Sequence, residues 1–297
     1  MSAATATPRR TATRRVASAA ARRRGRGGRV GAVVAVVVIG CFGLLPVYWL
    51  LVTAFSPTGD VFAFPPHLVP RHLTLSHFDN LLHTPKLLRY LLNSVVVSLI
   101  TAALSVIVSA YCGYSFAKFR YAGRRSLMYL VLASQMFPQA LLLITIYLVF
   151  SATGLLNSYL ALVLSFTTFT LPLCIWMLKG FFDTIPDELI EAARMDGAPT
   201  RTIIHRIMMP IAAPGLIAAG LFAFIRGWND FIFALTLAGP DRQTLPPGLV
   251  NTYVGEFQTA WPDLMAASLV TSLPVVIAFV VLQRHLVAGL ASGAVKG

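Results

Sequence analysis

Asp183-Thr-Ile-Pro-Asp-Glu-Leu-Ile-Glu-Ala-Ala-Arg-Met-Asp-Gly-Ala-Pro-Thr-Arg-Thr-Ile-Ile-His-Arg-Ile-Met-Met-Pro-Ile-Ala-Ala-Pro214 is a polar interruption in a chain that is otherwise strongly apolar. Its local grammar is helix, turn, helix. Pro186 has the fixed φ suited to a first helical turn, and Asp187, Glu188 and Glu191 put acid where a helix N-terminus is positive. Gly197 can adopt positive φ and end that helix, after which Pro199 opens a second one running toward Pro210. The expected product is a water-exposed bracket joining two membrane spans.

The flanking sequence makes the spans. Hydrophobic residues are 57% of the 297 positions and charged residues 12%, a balance that points to the bilayer as solvent. A helix needs about 20 mainly apolar residues to cross the hydrocarbon core, because each residue rises roughly 1.5 Å and no backbone group can be left unpaired there. Five uncharged runs qualify: Val30 to Phe55, Tyr90 to Ala117, Leu127 to Phe150, Leu155 to Leu178 and Leu264 to Leu282. Pro138, Pro172 and Pro274 are read as tolerated internal kinks. A sixth run, Ile211 to Gly239, is interrupted by charge. The expected fold class is therefore an all-α polytopic membrane protein with six transmembrane helices over residues 30–297 and a loop at 183–210.

Lys and Arg are retained on the cytoplasmic side, so their placement sets the orientation. With residue 1 inside, the inner segments hold 19 of the 24 basic residues, and the outer side holds Arg71, Lys86, Arg89 and Arg242. Arg226 is the remaining one. Both termini are thus expected in the cytoplasm of a multi-pass cell (inner or plasma) membrane protein, with outer loops at 56–89 and 240–263. The first outer loop is expected to form turns with a brief surface helix, its histidines (His67, His72, His77, His83) solvated.

Nine arginines precede residue 30, which marks residues 1–29 as a disordered basic cytoplasmic tail rather than part of the fold. Such a run suits nucleic acid or anionic headgroups. Its position directly before an apolar stretch favours membrane lipid, at roughly 1 kcal/mol per basic residue, and no nucleic-acid partner is expected. The run from Val30 exceeds the roughly 7–15 residues of a secretory h-region, whereas an Ala-, Thr- and Arg-rich transit peptide remains compatible with the tail. Cys41, Cys112 and Cys174 are odd in number and lie in apolar runs, so neither a disulfide framework nor a metal site is implied.

The bracket resembles the EAA loop of ABC importer permeases, with Glu191, Ala192, Ala193, Asp196, Gly197, Ala198, Ile207, Pro210 and Pro214 all in place. The resemblance implies a type I importer permease fold in which this loop is the coupling helix that docks on a cytoplasmic ATPase subunit. The coupling residues it marks are Glu191, Ala192, Ala193, Asp196, Gly197 and Ala198, with Leu189, Ile190 and Met195 as an apolar face. Three further stretches are similar to the carbohydrate branch, which includes maltose-type systems: Tyr90 to Val95, Trp228-Asn-Asp-Phe231, and Gln283 to Gly297 with its ending Gly293-Ala-Val-Lys-Gly297. Two departures, Ile146 before Tyr147 and Arg226 within the fifth span, bear on which solute is carried.

The function so implied is a permease subunit forming half of the pathway for a sugar or oligosaccharide. The implied partners are a second permease in a heterodimer, two cytoplasmic ATPases, an extracytoplasmic solute-binding protein and membrane lipid. No Gly-x-x-x-x-Gly-Lys-Ser/Thr cradle is present, so the chain is read as no enzyme and as binding no cofactor, with ATP and Mg used by a partner subunit. Pathway candidates are Asn93, Gln135, Gln139, Tyr147, Trp176, Arg226, Trp228, Asn229 and Asp230. Arg226 and Asp230, four apart, are expected on one helical face as a charge pair, lining the pathway or fixing helix packing. Permeases for amino acids, polyamines or phosphate also carry EAA loops, and a gradient-driven transporter using those two charges is a further alternative.

Overall fold

A computed structural model describes the backbone of residues 12–255 and 259–294 and the side chains of residues 31–255 and 259–283. Residues 1–11 of the expected tail, and residues 295–297 of the terminal motif, lie outside the described residues. Fourteen α-helices and no strand are found among the described residues. In order they are α1 (Ala12–Phe55), α2 (Thr58–Val61), α3 (Ser76–Leu82), α4 (Pro85–Lys118), α5 (Arg124–Ala133), α6 (Gln139–Ala152) and α7 (Tyr159–Asp183). There follow α8 (Glu188–Met195), α9 (Thr200–Thr202), α10 (Met209–Ile211), α11 (Ala213–Trp228), α12 (Ile232–Leu237), α13 (Leu245–Tyr253) and α14 (Trp261–Ala294). The first helix begins at Ala12, inside the segment expected to be disordered. Ala and Arg are among the strongest helix formers, and an already nucleated apolar helix can propagate into them.

Among the described residues, four helices are long and apolar enough to span a membrane: Gly31–Phe55, Pro85–Lys118, Tyr159–Asp183 and Trp261–Gln283. The count reaches six when two bent pairs are each taken as one span. One pair is Arg124–Met136 with Gln139–Ala152, bent by 95°, and the other is Thr200–Ile211 with Ala213–Asn229, bent by 80°. The third span is therefore broken where a mild kink was expected. Pro138 lacks an N–H and drives Phe137 out of the helical region, to φ −73° and ψ 128°, so the helix stops at Met136 and restarts at Gln139. Pro172 and Pro274, by contrast, sit within continuous helices.

The core forms where α4, α7 and α11 meet. On α4, Ser94, Ser98, Thr101, Ser105 and Ser109 recur at helical spacing, all fully buried, and the row continues to Gly113. Lipid gives apolar side chains no reason to prefer a neighbouring helix, so membrane helices associate through small residues that let backbones approach. A Cβ on Gly113 would stand 3.0 Å from the backbone nitrogen of Lys179 and 3.1 Å from Leu178 Cβ. Ser105 Oγ and Thr170 Oγ1 share a hydrogen bond of 2.7 Å across the same seam. Gly227 brings α11 against Ser98 and Phe166. Around this seam lies an apolar cluster that includes Tyr114, Leu178, Phe182, Ile203 and Met208.

The loops depart from expectation in two places. The 56–89 segment does hold the brief helices α2 and α3. His77, however, is buried: Nδ1 lies 3.0 Å from Asp263 Oδ1 and Nε2 lies 3.1 Å from the Ser56 carbonyl oxygen, which ties α3 to the start of α14 and the end of α1. The 240–263 segment is not simply a loop, since α13 packs back on α4 and α14 with Leu245, Pro247, Gly248, Leu249 and Tyr253 buried.

Candidate functional site

The bracket folds as its residue types dictate. Asp187 precedes α8, Glu188 and Glu191 lie in its first turn and Arg194 in its last, each sign matched to the helix dipole. Gly197 takes φ 76° and turns the chain, and Pro199 leads into α9. A six-residue π-helical turn, Ile203–Met208, continues into α10. The chain then bends at Ala212, where Pro214 in the first turn of α11 supplies no N–H to the preceding helix. The two motif prolines therefore shape the joint between bracket and span.

One side of α8 is fixed to its own subunit. Ile190 and Ala193 are buried among Tyr114, Phe182, Ile203 and Ile204. Lys118 Nζ donates to Asp187 Oδ1 at 2.6 Å and to the Ile185 carbonyl at 2.5 Å, anchoring the start of α8 to the end of α4. That ammonium, hydrogen-bonded to the carboxylate, holds Asp187 below the usual range, and Arg120 adds to the effect. Tyr111 Oη and His205 Nε2 meet at 2.8 Å, joining α4 to the π-helical turn.

The other side of α8 is open. Leu189 is 43% and Met195 88% exposed, with Glu188, Glu191, Ala192, Asp196 and Gly197 exposed beside them and Ala198 half-buried. The apolar face expected of Leu189, Ile190 and Met195 thus loses Ile190, which together with Ala193 faces inward. Residues 190 and 193 are three apart and share one helical face, whereas 189, 192 and 195–196 share the opposite one.

The membrane candidates resolve into separate groups. Asn93 is buried as a structural clamp: its Nδ2 donates to the carbonyls of Asp241 and Gln243 at 3.1 and 2.8 Å, and its Oδ1 accepts from Tyr159 Oη at 2.8 Å. Replacing Asn93 by Ala leaves those partners unpaired and is expected to destabilise the chain by about 1–3 kcal/mol. Thermal unfolding of the detergent-purified protein, followed by intrinsic fluorescence, checks this, the variant melting below the parent. Gln135 Nε2 donates to the Phe169 carbonyl at 2.8 Å. Trp228 is buried against Phe224, with ring centroids 5.5 Å apart. Tyr147 and Trp176 are exposed and do not line the cavity described next.

Arg226, Asn229 and Asp230 do come together, with Gln139, but not as a helical charge pair. The helix ends at Trp228, and Asp230 Oδ1 accepts from the backbone N–H of Phe233 and Ala234 at 3.0 and 3.1 Å, closing the first turn of α12. Arg226 Nη2 instead donates to Gln139 Oε1 at 3.0 Å. These residues, with Ala140, Phe231, Ile232 and Phe233, line a cavity of about 260 Å³. The spacing of two opposite charges was a fair signal of proximity, but the helix break between them was not visible in it.

Known proteins place the chain. The family described as binding-protein-dependent transport system inner membrane component matches residues 105–292. The permease protein of the sulfoquinovosyl glycerol transport system of Agrobacterium fabrum is 34% identical over 256 residues, covering 86% of this chain and 90% of its own length. The diacetylchitobiose uptake permease of Streptomyces coelicolor is 34% identical, covering 86% of this chain and 92% of its own. The trehalose permease of Mycobacterium tuberculosis is also 34% identical, with coverage of 88% and 95%. The crystal structure of a bacterial ABC transporter that imports the acidic polysaccharide alginate shares the fold at a TM-score of 0.75 and 23% identity, over 87% of this chain and 97% of that one. With its apolar spans, its bracket and a match through most of its length, the chain belongs to the inner-membrane permease family of binding-protein-dependent ABC transport systems.

Proposed function

We propose that this subunit forms half of the membrane pathway of an ATP-driven importer for a sugar or oligosaccharide, and that α8 couples the pathway to ATP hydrolysis on a separate subunit. The observation that carries the coupling reading is the two-sidedness of α8. Ile190, Ala193 and the Lys118–Asp187 pair fix it to α4 and α7, while Leu189, Ala192 and Met195 present a small, apolar surface rimmed by Glu188 and Glu191. A helix so held can pass a push from a docked partner directly to the spans. The distribution of Lys and Arg supports a cytoplasmic side for α8 and both termini. The sugar class is supported by the relatives, whose names give sulfoquinovosyl glycerol, diacetylchitobiose and trehalose.

On this reading the chain binds no nucleotide; ATP and Mg belong to two ATPase subunits, a related permease completes the pathway, and an extracytoplasmic binding protein delivers solute. The test is to express the tagged chain in its own cells, purify the assembly through the tag, add the solute-binding protein that it recruits, and measure ATP-dependent uptake of labelled disaccharides into proteoliposomes. Copurification of an ATPase and uptake that requires both ATP and binding protein are expected. A chain that purifies without any ATPase and moves solute only down an ion gradient would overturn the reading.

A further inference from the structure

Two helix breaks meet at one place. The first separates Met136 from Gln139 at Pro138, and the second separates Trp228 from Ile232 across Asn229, Asp230 and Phe231. The helices that restart, α6 and α12, pack on each other, and the hydrogen bond from Arg226 to Gln139 bridges the breaks. Irregular backbone at membrane depth is tolerated where it is buried in protein or lines a water-filled cavity, and an exposed guanidinium within a span demands the same surroundings. Arg226 is exposed on this single subunit, so the side that holds this cavity faces water or the partner permease rather than lipid.

The polar groups there are only partly used. Of the five N–H donors of Arg226, one goes to Gln139, its sole acceptor among the described residues. Asp230 commits Oδ1 to the turn of α12 and leaves Oδ2 as an acceptor. Gln139 accepts through Oε1 and retains its amide N–H donors, and Asn229 is exposed beside them. Phe231 and Phe233 line the same cavity, while a smaller adjoining hollow touches Phe166, Phe169 and Thr170.

From this arrangement we infer that the cavity is a solute subsite for an uncharged sugar ring, read through adjacent hydroxyls. The inference rests on the sugar-import reading and adds that this subunit itself contacts the solute. A sugar hydroxyl both donates and accepts, and the cavity offers donors on Arg226 and Gln139 next to an acceptor on Asp230. One cation and one anion line it, so the formal charges cancel and nothing draws in an acidic group. Phe233 is buried against Phe169, so the half-buried Phe231 is the lining aromatic left to offer apolar surface to the C–H face of a sugar ring. The volume, about 260 Å³, lies just below the roughly 300–1,000 Å³ of pockets that hold drug-sized ligands, a size for one ring rather than a chain.

The experiment uses the complete reconstituted assembly and a panel of labelled maltose, trehalose, cellobiose and glucuronate. Arg226→Gln and Asp230→Asn are each compared with the parent for copurification of the assembly and for KM and kcat of uptake. The parent is expected to take up at least one neutral disaccharide and to leave glucuronate outside. Each variant is expected to copurify with its partners and to raise KM about 10- to 100-fold, the effect of losing one hydrogen bond to a charged group. An unchanged KM in both variants overturns the subsite, as does loss of copurification, which would make the pair a packing device. Uptake of glucuronate in preference to the neutral sugars, or of none of the panel by an assembly that hydrolyses ATP, overturns the uncharged-ring assignment. Failure of any ATPase to copurify with the parent is the distinct outcome that defeats the importer reading itself.

Discussion

Ala192→Arg is expected to leave the subunit inserted in the membrane and to lower ATP-driven uptake by about 30-fold or more. Ala192 is exposed near the middle of the open side of α8, between Leu189 and Met195. A methyl group there lets a partner approach the helix backbone, and a long cationic side chain holds it off. Losing a contact at the centre of a docked patch removes about 2 kcal/mol or more of binding energy, which at room temperature is the fold-change given. Ala193→Arg is the informative contrast, because Ala193 faces the core and its replacement should reduce the yield of folded chain before any coupling can be measured. Uptake and ATPase copurification measured side by side separate the two. Uptake by Ala192→Arg within about twofold of the parent, in an assembly that still copurifies, would show that this side of α8 is not a docking surface.

Gly113→Leu is expected to prevent α4 and α7 from closing, and with it assembly of the subunit. The added Cβ alone would sit 3.0 Å from a backbone nitrogen of α7, and a backbone atom cannot rotate away as a side chain can. Overpacking a tight seam costs about 1–3 kcal/mol even where neighbours yield, and the further carbons of Leu add to the crowding that Cβ alone creates. Gly180→Ala on α7, where an added Cβ meets nothing within 4 Å, is the matched change expected to be tolerated. Size-exclusion profiles of fluorescently tagged variants in detergent report the difference: a monodisperse peak for Gly180→Ala, and aggregate or degradation for Gly113→Leu. A monodisperse Gly113→Leu would mean that the α4–α7 seam is looser than its geometry.

The amino-acid pattern alone determined the class of protein, the approximate number of spans and the bracket, because each rests on short-range properties. A run of about 20 apolar residues in lipid favours helix over most of its length, because its backbone groups must pair within the segment. Glycine at 197 and proline at 199 act on their own backbone, so the helix-turn-helix of the bracket follows from local residue types and appears as expected at α8, Gly197 and α9, although Pro186 stands two residues before α8 and not in its first turn. The resemblance to the EAA loop fell on the same stretch, which is why the coupling role is proposed for it.

Tertiary structure decided what those local rules leave equal. Pro138 and Pro172 are alike as residues, yet the chain breaks by 95° at one and runs on through the other. The four-residue spacing of Arg226 and Asp230 promised a shared face, but Asp230 turns one oxygen to the amides of α12 and Arg226 gives one donor to Gln139 from a distant helix. His77 reads as one loop histidine among four until Asp263, far along the chain, closes over it. Even which side of α8 is free follows from where Tyr114 and Phe182 happen to stand. Contacts between residues a hundred positions apart carry no signature in either segment alone, so the pairing of helices, and the cavity that their breaks create, belong to the packed structure.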